Sequence, residues 1–532
     1  MAEPSRALLS LWMAWAAAAL PAGCNSRDGD EAAASKSAAG GEAKPARGAA
    51  AGAAHLAQAG VPATATPPPA LPADPRAGQS AGHGADQGAG KSKGKDSERG
   101  VPLWAVRLGG NKAESGRSIA VDAQGNLTVT GLFRDTVDFG GGARFTARGA
   151  DGFLARLGPD GAVRWARQLG GPNDDIADAL ALDAQGNAVV AGSFSGDLVI
   201  GDGKLESSGA DDMFVAAFDA DGHRRWAKRM GGVDVDGADG VAIDARGAVA
   251  VVGDFAGYVD LGGGHELVGD SQSDILLVVL EPDGVIRWAK GWASAGADEG
   301  RAVGFDAHGN LYVLVEFSRS IDFGGGAIES VGNRDLAVVK LDPSGRHIWS
   351  RRFGSNLDEL GVGLAVDPAG SVIITGSFDD KLDFGDGVMK TAGRSDVFIT
   401  KLAPDGHTLW SRRMGNTDED IGAGVATDPF GNVYVAGWFW RSLDFYGAPS
   451  ASAGKKDAFL YALSPAGDGL WLRTFGGPED DYGRGVAADR AAVYLTGTFH
   501  KAIDLGGTAL TAAAAPGARL PLGDAYVTKL AR

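Results

Sequence analysis

A single cysteine, Cys24, among 532 residues leaves no disulfide and no thiolate cluster for a metal. Histidine is scarce too: of eight residues, His55 and His83 fall near the N-terminus, while His223, His347 and His407 follow turns in separate repeats and cannot converge. Positive charge is in deficit, with 50 Lys and Arg against 67 Asp and Glu and a formal net charge of -17. That balance excludes a general affinity for nucleic acid or for anionic membrane surfaces, both of which need clustered Lys and Arg. No Gly-x-Ser-x-Gly elbow and no phosphate loop occurs in a strand-turn-helix setting. Glycine, by contrast, is plentiful: 84 residues recurring at fixed offsets, as expected where tight turns join short strands. A hydrophobic content of 44% over this length is enough for a large core.

Three segments differ in composition. In residues 1–24, Arg6 precedes an apolar run from Ala7 to Leu20 that is too short to span a bilayer and suits a signal-peptide core. The run ends at Leu20-Pro21-Ala22-Gly23-Cys24, which resembles the bacterial lipoprotein signal. That resemblance implies lipidation of Cys24 and anchoring at the cell envelope, with simple secretion as the alternative. Residues 25–100 are mostly Ala, Gly, Pro, Ser and Lys, with Pro67-Pro68-Pro69 and no apolar periodicity. They are expected to form a disordered tether spanning on the order of 45 Å r.m.s..

Residues 101–532 are a tandem repeat. Trp104, Trp165, Trp226, Trp288, Trp349, Trp410 and Trp471 recur at intervals of 61 or 62 residues. In the second copy, Ala179 to Asp183 and Ala188 to Phe194 read as strands joined by a Gly-containing turn; a variable stretch follows. Asp212 to Phe218 and Arg225 to Met230 then read as a third and a fourth strand around Asp219-Ala220-Asp221-Gly222. Four antiparallel strands repeated seven times predict an all-β, seven-bladed propeller. The turn between third and fourth strands occurs six times, the chain ends on a third strand (Ala525 to Leu530), and the repeat region opens on a lone fourth strand (Leu103 to Leu108). The N-terminal strand is therefore expected to complete the last blade and close the ring.

Scaffold positions recur in every copy. Phe133, Phe194, Phe255, Phe317, Phe378, Phe439 and Phe499 follow the second strand and are expected to pack between blades. Asp122, Asp183, Asp244, Asp306, Asp367, Asp428 and Asp489 end the first strand, where a carboxylate can accept turn amides. Each repeat tryptophan is an interblade plate whose indole N–H wants a carbonyl. The pieces Ile119-Ala120-Val121-Asp122-Ala123-Gln124-Gly125-Asn126, Val433-Tyr434-Val435-Ala436-Gly437 and Asp396-Val397-Phe398-Ile399-Thr400-Lys401-Leu402 resemble the bacterial SBBP β-propeller repeat family. The resemblance covers the whole repeat region; it implies a propeller and no defined chemistry. The pattern departs at Val315, where other copies have Gly, and in the last copy, whose first hairpin is a residue shorter and which carries an insertion from Thr508 to Leu522.

Two sets of residues are candidates for function. Glu114, Asp175, Asp236, Asp298, Glu359, Asp420 and Asp481 form an acidic ring just after the fourth strands, deepened by Asp174, Asp358, Glu419 and Asp480. Each carboxylate either fixes its own crossover loop by accepting backbone N–H groups or contributes to a site for calcium or a cationic partner. Asp234, Asp236 and Asp239 look most like a calcium loop, without its distal Glu; otherwise no cofactor is expected. The second set varies between copies. Trp438, Trp440, Tyr482 and His500 are expected near one another, with Arg441 and Lys501 adjacent, as a mixed aromatic and basic patch for a glycan or protein; Glu316 is a further candidate. The reading that follows is a monomeric, lipid-anchored binding or scaffolding module at the envelope. A hydrolytic propeller with loop-face carboxylates and a calcium-stabilised adhesin stand as alternatives, and no catalytic residue is assigned.

Overall fold

In the computed structural model, residues 99–445, 448–513 and 523–532 are described. The leader, Cys24 and nearly all of the tether lie outside them, as does most of the insertion in the last copy. Every regular element among the described residues is a strand, so the expectation of an all-β chain holds. No helix there is long and apolar enough to cross a membrane.

The second repeat shows how sequence becomes sheet. Asp175–Leu182, Ala188–Ile200, Gly203–Phe218 and Arg224–Met230 follow one another as antiparallel neighbours. The middle two carry unbroken apolar runs, Ala188 to Ala191 and Met213 to Phe218, buried throughout. Alternation is lost there because both sheet faces are covered by the neighbouring repeats. Val189, Ala191, Met213 and Val215 accordingly share a core with Val249, Val251, Leu276 and Val278 of the third repeat.

Four sheets contain four strands each, a twelve-stranded sheet joins most of the rest as an open path, and two short two-stranded ladders stand apart. The joining has a cause that the sequence pattern hides. The variable stretch after each phenylalanine prolongs the hairpin of second and third strands, for instance with Leu198 opposite Leu205. Its base pairs with the fourth strand of the preceding repeat, as in Gly110 with Val137, Gly170 with Val199, and Gly231 with Asp260. One residue per repeat, two places after the phenylalanine, has φ between 59° and 69°: Asp135, Gly196, Gly257, Arg319, Asp380, Arg441 and Lys501. In five copies the ladder breaks at this residue, which stands unpaired opposite three or four unpaired residues of the third strand, an irregularity that re-aims the extension.

At the ends of the chain, Pro102–Gly110 pairs antiparallel with Asp524–Ala531, placing Trp104 opposite Lys529 and Arg107 opposite Tyr526. The six turns between third and fourth strands have a seventh counterpart in space. A Cβ on Gly161 would lie 3.0 Å from the Trp104 ring, on Gly222 2.8 Å from Trp165, and on Gly100 2.8 Å from Trp471. Gly100, just before the first strand of the repeat region, thus meets Trp471 as the turn glycines meet the other tryptophans. The tryptophans behave as expected: Trp104, Trp165, Trp226, Trp288, Trp349 and Trp410 donate through Nε1 to turn carbonyls of the next repeat at 3.0 to 3.2 Å. The seven phenylalanines are all buried. The hairpin aspartates bond turn amides, Asp183 Oδ1 accepting from Gln185 and Asn187 at 2.9 and 2.8 Å.

Candidate functional site

The acidic ring is buried rather than solvated. Glu114, Asp175, Asp236, Asp298, Glu359, Asp420 and Asp481 are each 0 or 1% exposed. Their position explains this, because each opens the innermost strand of its repeat or, at Asp236 and Asp298, immediately precedes it, where the crossover loop covers it. Asp175 accepts from the Gly171 amide at 2.6 Å, Asp481 from Gly477 at 2.6 Å and His500 at 3.1 Å, and Asp420 from Asn416 at 2.8 Å and Trp440 at 3.3 Å. Asp236 accepts from Gly232 at 2.7 Å and Asp298 from Ser294 and Ser318 at 2.6 and 3.0 Å. Asp236, Asp298, Asp420 and Asp481 therefore clip their crossover loops to the end of the second strand, Asp236 through a further bond from the Ala256 amide at 3.3 Å.

A second ring was missed from sequence. Asp151, Asp212, Asp274, Asp335, Asp396, Asp457 and Asp524, at the base of the third strands, are at most 3% exposed. Six of the first-ring acids lie within electrostatic reach of the second-ring aspartate of the preceding repeat, as Asp175 does of Asp151 and Glu114 of Asp524. Burial, and then the neighbouring negative charge, push the first-ring pKa values up. They reach about 8 at Asp175, Glu359 and Asp481 and about 7 at Asp236 and Asp420; Glu114 is raised as well. Burial at these junctions thus favours the protonated carboxyl over the carboxylate. Arg107, Arg229, Arg352 and Arg413, three places after the repeat tryptophan, pair with second-ring aspartates in four repeats, and Gln168 stands there in another. Glycine suits the end of that strand in six copies, since a Cβ on Gly170 would fall 2.1 Å from the Asp151 carboxyl; Ala293 stands there in the other.

The proposed calcium loop does not assemble. Asp236 is occupied by two amides, Asp234 is exposed, and Asp239 lies on the inner strand beside Arg301. Among the described residues, the group whose ligand atoms lie within 4.8 Å of one another is Asp219, Asp221 and His223, on an exposed turn.

The aromatic set does come together. Trp438 meets Tyr482 edge-on at 5.3 Å, and Tyr482 meets His500 at 6.3 Å. Trp438 and Tyr482 are buried; Trp440 is 38% exposed and forms the outer edge. The basic partners differ from those expected. Arg441 and Lys501 turn to Asp418 and Glu479. Lys456, opposite Trp440 in the ladder, lies 5.7 Å from the Trp440 ring and 5.8 Å from Tyr482. Arg484 lies 5.7 Å from Trp438 and 5.4 Å from Tyr482. The strand register that brings Lys456 to Trp440 was the available signal. Glu316 stands apart from this cluster, buried with Glu299 between Arg301 and Arg334. It also accepts the Gly361 amide at 3.0 Å.

Comparison with known proteins agrees with the repeat. The family model described as "SBBP: Beta-propeller repeat" matches residues 409–438. The regulatory protein FlaEY of Caulobacter vibrioides is 30% identical over 187 residues, covering 33% of this chain and 19% of that protein. An uncharacterised WD repeat-containing protein of Acanthamoeba polyphaga mimivirus is 19% identical over 501 residues, covering 75% of this chain and 36% of the other. This chain thus spans well under half the length of either relative. The WD40 domain of Neurospora crassa Pan2 superposes with a TM-score of 0.40 at 10% identity, over 78% of this chain and 88% of that one. The matched segment runs from the fourth strand of one repeat through the second strand of the next, a unit found in every copy, and the chain is a β-propeller repeat protein.

Proposed function

We propose that the chain forms a seven-bladed wheel of four-stranded blades, closed by its N-terminal strand and tethered by a lipidated Cys24. In this reading it acts as a monomeric protein- or glycan-binding scaffold at the bacterial envelope. Pairing of Pro102–Gly110 with Asp524–Ala531 supports closure, and the Leu20 to Cys24 motif supports anchoring. One observation carries the binding role: repeats share their buried scaffold residues, yet among the described residues a single junction, between the sixth and seventh repeats, gathers Trp438, Trp440, Tyr482, His500, Lys456 and Arg484. Scaffold demands are alike in every copy, so a cluster that occurs once answers to something outside the scaffold. A glycan array and an envelope pull-down, each comparing the full chain with Trp440→Ala, test this. Loss of a captured partner in the variant, with unchanged melting, is expected; identical capture by both proteins rejects the site. Mass spectrometry of the mature N-terminus tests the anchor, a diacylglyceryl mass on Cys24 being expected. A calcium-stabilised adhesin is the second reading, motivated by Asp219, Asp221 and His223. It requires a chelator to lower the melting temperature.

A further inference from the structure

On each third strand, the residue opposite the repeat tryptophan reads Arg156, Ala217, Val279, Lys340, Lys401, Ala462 and Lys529. Where it is cationic and buried, it ties the hairpin aspartate of its own repeat to a turn of the next. Lys340 Nζ meets Asp306 at 3.5 Å, the Tyr312 hydroxyl at 2.8 Å and the Pro404 carbonyl at 3.0 Å; Lys401 Nζ meets Asp367 at 2.7 Å and the Pro465 carbonyl at 3.2 Å. Arg156 pairs with Asp122 and donates to the Gly186 carbonyl at 3.1 Å. In the sixth repeat, which has Ala462, Arg532 Nε stands 3.4 Å from Asp428, and in the third the buried Val279 side chain fills the place. The second repeat has Ala217, and there the junction holds a cavity of about 30 Å³. Its lining repeats the acceptor set: Asp183 stands where Asp122, Asp306 and Asp367 do, Gly247 where Gly186 does, and Pro282 where Pro404 and Pro465 do. The Pro282 carbonyl takes Trp226 Nε1 at 3.0 Å, as Pro404 takes Trp349 besides Lys340. Asp183 Oδ2 accepts from Asn187 Nδ2 at 2.7 Å; among the described residues no cation pairs with it, and it is half-buried where its three counterparts are buried. Arg225 also lines the cavity, exposed and without an ion pair among the described residues. A carboxylate and two carbonyls call for a group that only donates, and an ammonium has three N–H donors. Val189, Ala217 and Ile243 give the same cavity an apolar wall suited to a methylene stem.

We propose that this cavity between the second and third repeats binds a primary alkylammonium, its head meeting Asp183 and the Pro282 carbonyl and its stem lying along Val189 and Ile243. The site lies at the hairpin-turn end of the strands, whereas the aromatic cluster stands at the crossover end, so the two are independent. Melting of the full chain in n-butylammonium chloride, against tetramethylammonium chloride at equal millimolar concentration, is the test, because both salts screen charge alike and only the first can donate. The butylammonium salt is expected to give a melting temperature about 1–3 °C higher. Ala217→Lys supplies the ammonium from within the chain and is expected to abolish that difference. Asp183→Asn keeps the acceptor for Asn187, removes the charge and is expected to reduce the difference to about half or less. Arg225→Gln removes the competing cation and is expected to enlarge it. Equal melting in the two salts overturns the proposal, as does a difference that survives both Ala217→Lys and Asp183→Asn. Acetyl-Gly-Lys-Gly-amide separates two sources of the same group: a larger shift than that of butylammonium at equal concentration assigns the site to a protein lysine, and a smaller one to a free amine.

Discussion

Asp175 shows what a repeated carboxylate does when it is buried. Its Oδ2 accepts the Gly171 amide, while Asp151 of the preceding repeat crowds it from behind. Asp175→Asn keeps an acceptor for Gly171 and removes the charge. It is expected to cost less than ~1 kcal/mol at pH 6 and to stabilise relative to the parent at pH 9, in chemical denaturation at both pH values. Asp175→Ala strands the amide and is expected to lose about 1–3 kcal/mol at either pH. The positive-φ residues offer a second check. Asp380 adopts φ 61° and Gly257 φ 65° at equivalent sites. Asp380→Gly is expected to be neutral or stabilising, and Gly257→Ala to cost ~1 kcal/mol, by thermal melts. Residues whose roles are local were legible in the sequence, because the hairpin aspartates and their amides lie within four positions. The second acidic ring was not, since its partners lie in the neighbouring repeat and nothing in a strand-opening Asp announces them. Burial of the first ring was equally hidden, because charge in a loop reads as solvated until the crossover is seen to cover it.

At the scale of the element, the contact between a tryptophan and the next turn glycine is the repeating joint. The Trp165 indole donates to Ala220 at 3.0 Å, and a Cβ on Gly222, whose φ is 80°, would press on that ring at 2.8 Å. Gly222→Ala combines backbone strain with overpacking and is expected to destabilise by about 2–4 kcal/mol, lowering the denaturation midpoint without changing the slope. The tryptophan period and the four-strand pattern could be read directly, because apolar runs bounded by Gly-containing turns have few other solutions. The extended hairpins could not. Their side chains vary, and the ladder breaks by two or three residues where they begin, so they pass for irregular loops. The same blindness hid Lys456, which reaches the aromatic cluster only through its register with Trp440.

For the whole molecule, the buried acids set a direction for pH dependence. Asp175, Asp236, Glu359, Asp420 and Asp481 have folded pKa values of about 7 to 8, raised above ordinary carboxylate values by burial first. A raised carboxylate keeps its proton longer in the folded than in the unfolded chain. The stability it confers is full below the unfolded pKa and is lost as pH rises through the folded one. The melting temperature is therefore expected to fall steadily between about pH 5 and pH 8.5, against the usual rise from acid conditions. A flat or rising profile in that window contradicts protonated junctions.

Closure of the wheel is the claim on which the shared inner strands, the paired acids and the single aromatic junction all depend. A chain carrying Cys24→Ser, Ala105→Cys and Thr528→Cys tests it most directly, because those two residues face each other across the terminal strands. Mild oxidation of the native protein is predicted to give one intramolecular disulfide, seen as the loss of both free thiols in the monomer. Two thiols that remain free in the folded protein, or that link only between molecules, would contradict closure.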